Sequence, residues 1–229
     1  MNHIVSRFAL FVLGVVINSF GIVLITVGNL GTSPISSVPY VFSLAFPQLS
    51  FGMTTFIWNV LFIIIQVILL RRRFKPSQFL QIIANILFSS AIDVSSAILW
   101  FLNPQTLWER LLCVVLGCLV LAFGIVIEVA PNVIVVPGEG LVRALSIVTN
   151  IRYGSVKVAF DVTLIVLATI CSFIFFGGLN GLGIGTIISA VIVGLFINAI
   201  NKLFRFPDRI RALALESDDH RKTIIVKDK

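Results

Sequence analysis

Six apolar stretches of about twenty residues follow one another through this chain, and the breaks between them leave little that could fold in water. They cover about 6–27, 51–70, 77–101, 108–129, 153–176 and 184–204. A bilayer core about 30 Å thick is crossed by roughly 20 apolar residues in a helix. Charged residues make up 12% of the 229, where a soluble domain carries roughly a quarter. Mean hydropathy is +1.09. The sequence therefore describes an all-α polytopic membrane protein with the lipid bilayer as its first partner, because helices satisfy their own backbone in hydrocarbon. Arg7 ahead of the apolar run 8–17 has the look of a secretory leader. No small-residue cleavage site follows, so the segment reads as a permanent helix.

The breaks are as informative as the helices. A Gly/Pro-rich stretch, 28–34, leads into a short apolar piece at about 35–46. The break Ala130-Pro131-Asn132 and the turn Pro137-Gly138-Glu139-Gly140 lead into another at about 138–150. These belong to an internal repeat. Leu13-Gly14 and Phe20-Gly21-Ile22-Val23 reappear 103 residues later as Leu116-Gly117 and Phe123-Gly124-Ile125-Val126. At that offset Asn29 meets Asn132 and Pro34 meets Pro137. At 102, Phe51-Gly52 meets Tyr153-Gly154 and Asn59 meets Asp161; at 105, Ile82-Ile83 meets Ile187-Ile188 and Asp93 meets Asn198. The expected organisation is a first membrane repeat over 1–103, a second over 104–204 and a charged cytoplasmic tail over 205–229.

A dozen helical residues reach about 18 Å, short of the core thickness. The two short pieces are therefore expected as re-entrant half-helices, each begun by a proline in its first turn. A half-helix that does not cross leaves three crossings per repeat, an odd number, which inverts the second copy. The alternative is eight short and long crossing helices in two parallel repeats. Charge favours inversion. With a cytoplasmic N-terminus, Arg7, Arg71, Arg72, Arg73, Lys75, Arg152, Lys202, Arg205, Arg209 and Arg211 all fall inside, as the positive-inside rule requires. Both termini are then cytoplasmic. The net charge of +7 is accounted for by these flanks, so no nucleic-acid partner is expected.

Inverted repeats with broken helices build many secondary transporters, with the solute site at the midplane between the copies. Half-helix N-termini offer unpaired N–H groups and a positive dipole end there. Asn59 and Asp161, repeat mates at equal depth, are the first candidates to bind solute. Ser33, Ser36 and Ser37, Asn29, Asn132, Glu139 and Arg143 follow from their places at the breaks and half-helices. Lys157, one turn before Asp161, with Glu128 and Asp93, supplies candidate ion-pair or coupling groups. Capping and helix packing are the competing readings for the serines, a first-turn carboxylate for Glu139, and simple neutralisation of Asp161 for Lys157.

His3 and His220 lie near the chain ends, and Cys113, Cys118 and Cys171 lack ligand spacing, so neither a metal, a cofactor nor catalysis is expected. The function expected is a secondary transporter or facilitator of a small polar solute, an anion among the candidates. A non-transporting scaffold or accessory subunit is the second reading. Oligomeric state is open, a homo-oligomer included. At Gly31-Thr32-Ser33-Pro34, Pro137-Gly138-Glu139-Gly140 and Gly181-Leu182-Gly183-Ile184-Gly185-Thr186 the chain resembles the YczE/YyaS/YitT group of bacterial membrane proteins, over about 8–205. That resemblance implies a bacterial cytoplasmic (inner) membrane and a transporter-like role without a defined substrate. The group often reads Gly-Pro-Arg-Asp where this chain has Val136-Pro137-Gly138-Glu139.

Overall fold

The computed structural model describes residues 2–74, 76–204, 206, 207 and 210. Lys75 and, those three residues apart, the tail expected over 205–229 with Arg205, Arg209, Arg211 and His220 lie outside the described residues. Among the described residues eight α-helices follow in order: α1 Asn2–Val27, α2 Ser37–Ala45, α3 Phe51–Leu70, α4 Leu80–Ile98, α5 Leu107–Val129, α6 Pro137–Thr149, α7 Tyr153–Phe176 and α8 Ile184–Leu203. Short 3-10 turns precede α2 at Pro34–Ser36 and flank α4 at Pro76–Phe79 and Leu99–Phe101. Six helices, all but α2 and α6, are long and apolar enough to cross a membrane, the build of a multi-pass membrane protein.

Local chemistry sets the helix ends. Ser50 caps α3 through an acceptor bond from Met53 N, and Thr106 with Glu109 forms a capping box on α5. Proline occupies the first turn of both short helical segments, at Pro34 and Pro137. Asn29 (φ 51°) and Asn132 (φ 48°) turn the chain out of α1 and α5 in the left-handed conformation that asparagine tolerates better than most residues. Asn150 and Gly177 end α6 and α7 in the same way.

The largest interface is between α1 and α5. It is antiparallel and made by glycine. Gly14 faces Glu128, Gly124 faces Asn18, Gly21 faces Leu121 and Gly117 faces Ile25. A Cβ added at Gly14, Gly21 or Gly124 would stand 2.3–2.4 Å from a backbone nitrogen of the partner helix. Small residues let membrane helices approach this closely, and packing of that kind replaces the hydrophobic drive that lipid removes. Arg7 completes the seam from the N-terminal end of α1: its Nε donates to Pro131 O at 3.0 Å and a terminal nitrogen to Asn132 O at 3.3 Å, satisfying carbonyls just past the end of α5.

Around this pair the neighbours come in twos. α4 packs on α1 as α8 packs on α5, α3 on α6 as α2 on α7, and α2 on α3 as α6 on α7. One pairing has no counterpart: α3 packs along α4, whereas α7 and α8 share no packed interface.

Candidate functional site

Between the two halves lies a cavity of about 420 Å³ to which every long helix contributes. α1 brings Asn18 and Ile22, the segment before α2 brings Ser33 to Ser36, and α3 brings Thr55 and Asn59. From the other half come Glu128 of α5, Gly138 and Glu139 of α6, Tyr153, Lys157, Val158 and Asp161 of α7, and Ser189, Ala190 and Gly194 of α8. The first turns of both short helical segments border it, so N–H groups without intrahelical partners lie near its wall.

Its charged centre is one ammonium held between two carboxylates. Lys157 Nζ lies 2.9 Å from Asp161 Oδ1 and 3.5 Å from Glu139 Oε1. The Tyr153 hydroxyl donates to the other oxygen of Glu139. Glu139 thus turns across to Lys157 of α7, while Arg143, one turn further along α6, is exposed. A third carboxyl, Glu128, is 3% exposed and accepts from Asn18 Nδ2 at 2.7 Å. Asn18 is itself 6% exposed, and its carbonyl oxygen has no protein partner. Such a buried acceptor costs about 1–3 kcal/mol unless water or a ligand satisfies it. Two carboxyls pair with the one ammonium and the Glu128 carboxyl lines the same cavity, so acidic side chains outnumber basic ones in its wall.

Of the residues picked from sequence, Asn59, Asp161, Ser33, Ser36, Glu139, Lys157 and Glu128 share this cavity. Others lie elsewhere. Asn132 and Arg143 border a smaller recess of about 40 Å³ that adjoins Glu128 and Glu139. Asn29 serves the turn described above. Ser37 Oγ donates to Pro34 O and Leu164 O, tying α2 to α7. Asp93 accepts from Gly52 N and Ser50 Oγ, both at 2.7 Å, at the N-terminus of α3, a favourable place for a carboxylate. Asn59 donates to Asn85 Oδ1 at 2.8 Å, so one side of its amide is structural.

Asn18 and Tyr153 are site residues that the sequence reading passed over. Asn18 is a lone amide in an apolar run, but the residue 103 positions on is Leu121, so the pairing that picked out Asn59 with Asp161 does not reach it. Tyr153 aligns with Phe51, which hides its hydroxyl.

The glycines of 181–186 have a mechanical task. Leu30 O accepts from Gly185 N at 2.7 Å, and Cβ atoms at Gly183 and Gly185 would stand 2.7 and 2.8 Å from that oxygen. Thr32 N donates to Thr186 Oγ1 and Ser189 Oγ donates to Thr32 O. The break after α1 is thus moulded on the start of α8, and residues 154 and 157 apart in sequence meet at one corner of the cavity. Residues 5–202 match a family of unknown function, DUF6198. The chain belongs to that family. No curated protein and no solved structure matches it. The stretch shared with DUF6198 contains the seam, both breaks and every residue lining the cavity.

Proposed function

We propose that this DUF6198 protein is a secondary transporter or facilitator of a small polar solute, bound in the cavity between two inverted repeats. The observation that carries the proposal is the cavity itself, walled by both halves and both half-helix entrances, with an ion-paired centre and the free Asn18 acceptor. Ionisable groups are expensive in a membrane interior and collect where a solute or ion passes. Inversion is supported by the seam. Moving each residue to its mate 103 positions away turns the contact of 14 with 128 into that of 117 with 25, and 21 with 121 into 124 with 18. Half-helices are supported by length: Pro34–Ala45 and the 13 residues of α6 reach about 18–20 Å. Helix dipoles alone favour an anion, but three carboxyls against one ammonium favour a solute with a positive group. Kinship with the YczE/YyaS/YitT group, and with it a bacterial inner membrane, rests on motifs that all lie within 5–202.

Topology is checked by single cysteines in a cysteine-free protein. Positions 48, 105 and 180 are expected to label from outside and 152 only from inside; labelling of 152 from outside means parallel repeats and removes the half-helix site. Transport is checked in proteoliposomes by the transient current on a solid-supported membrane, with panels of small organic cations, zwitterions and anions. A cation or zwitterion is expected to give current, reduced at least tenfold in Asp161→Asn at equal protein content. Silence across the panel, with Asp161→Asn and Asn59→Ala still supporting the host phenotype, would establish the second reading, a membrane scaffold. The lightly packed α7 and α8, the least buried of the six long helices, are what favours that reading.

A further inference from the structure

The one broken pairing of the fold has a residue-level cause. α3 and α4 are joined by Asn59 donating to Asn85, by the reciprocal amide pair Gln66–Gln81 at 3.2 Å in each direction, and by Asp93 on the start of α3. Gly52 approaches Ser89 O so closely that a Cβ there would stand 2.2 Å away. At the repeat offsets of 102 and 105, the Asn59–Asn85 pair becomes Asp161 and Ala190, and Gln66–Gln81 becomes Ala168 and Thr186. Gly52 and Ser89 become Gly154 and Gly194, and neither of these has anything within 4 Å of a Cβ position. The second half has thus lost the side chains that would tie its last two helices together.

The gap this leaves opens into the cavity. Val158 of α7 and Ala190 and Gly194 of α8 line the cavity and are exposed, Val158 to 64%. Gly194 is the eleventh of the twenty residues of α8, and Val158 lies about 8 Å along α7. Both lie within helices long and apolar enough to cross a membrane, and the rim they form is apolar. A water-soluble solute gains nothing from such a door; an acyl or alkyl chain does. We infer that the solute is an amphiphile with a positively charged head, which enters sideways from the bilayer between α7 and α8. Its head sits at Asp161 and at Glu128 with Asn18, and its chain lies in the gap. The inference rests on the reading of the cavity as a cation-accepting solute site, and adds the tail and the lateral route.

The test measures Kd for alkyltrimethylammonium ions, methyl to decyl, on the full chain in lipid nanodiscs, with empty nanodiscs subtracted for partitioning. Affinity is expected to rise about fourfold for each methylene that enters the gap. In Gly194→Trp, where the new ring fills open space, the ratio of methyl to decyl Kd is expected to collapse at least tenfold. Head-group binding that is weakened by Asp161→Asn but indifferent to chain length, or a length dependence that survives Gly194→Trp, overturns the lateral route and leaves the solute site standing. No binding of any member overturns both. A single cysteine at 194 that forms disulfide-linked dimers in membranes, unsuppressed by the decyl compound, shows the gap to be covered by a second copy and also overturns the inference.

Discussion

Leucine at position 124 is expected to remove folded protein from the membrane, while leucine at position 194 leaves yield and unfolding temperature unchanged. Chemically the two substitutions are identical, and both sites lie within membrane-spanning helices. They differ in what surrounds them. A Cβ on Gly124 would stand 2.3 Å from the backbone nitrogen of Asn18, which belongs to a helix and cannot swing aside. Relief requires α1 and α5 to separate, and every contact of the seam loosens together. Overpacking a well-fitted core costs about 1–3 kcal/mol for a modest insertion, so Gly124→Ala alone is expected to lower the unfolding temperature measurably. Leucine at the same place exceeds what a marginally stable fold can absorb. Gly194 has nothing within 4 Å of its Cβ direction, so its change is expected to stay within about 0.5 kcal/mol. Size-exclusion profiles and thermal unfolding of the purified variants decide the matter. Equal behaviour of the two would mean that the seam does not hold the halves together.

The second large effect is expected from Lys157→Met. This change leaves Glu139 and Asp161 facing one another across a partly sheltered cavity, with Glu128 as a third carboxyl nearby. Breaking a fully buried ion pair by removing one partner costs about 3–5 kcal/mol. These side chains retain 22–27% accessibility, so about 1–3 kcal/mol is the reasonable range after solvent screening. The double change Lys157→Met with Asp161→Asn removes the closer of the two carboxyls left without their partner and is expected to recover part of the loss. The double-mutant cycle reads the coupling directly. If the double variant is as unstable as the sum of the singles, the two groups act independently, and the ion-paired centre is an accident of proximity.

How much of this was legible in the sequence depends on the kind of fact. Helix positions were, because twenty apolar residues between Gly, Pro and basic breaks admit few readings; Phe51–Leu70 and Tyr153–Phe176 fall where hydropathy puts them. The Lys157–Asp161 pair was legible too, since one helical turn separates them. Lateral relations were not. That Glu139 reaches Lys157 rather than Arg143 depends on how α6 is rotated against α7, which no local pattern encodes. Asp93 looks like an intramembrane acid in a list of residues, and only the approach of α3 to α4 makes it a cap for Gly52 and Ser50. The glycines at 14, 21, 117 and 124 align at one offset in the sequence, but their meaning lies in the helix they face. The missing α7–α8 contact has a trace in the sequence, where Asn85 aligns with Ala190.

The contact between Arg7 and the carbonyls of Pro131 and Asn132 spans 124 residues or more of chain. During synthesis at about 5–20 residues per second, the first helix waits roughly 6–25 seconds before the segment it binds has left the ribosome. Throughout that interval its glycine stripe lacks the helix it packs on. The N-terminal half is therefore obliged to dwell in the membrane as an incomplete object, held by the insertion machinery or by transient neighbours. Its orientation must already be fixed by then, since the late-arriving half is fitted against it. A chain halted near residue 103 ends before the surface that its first helix was made to meet.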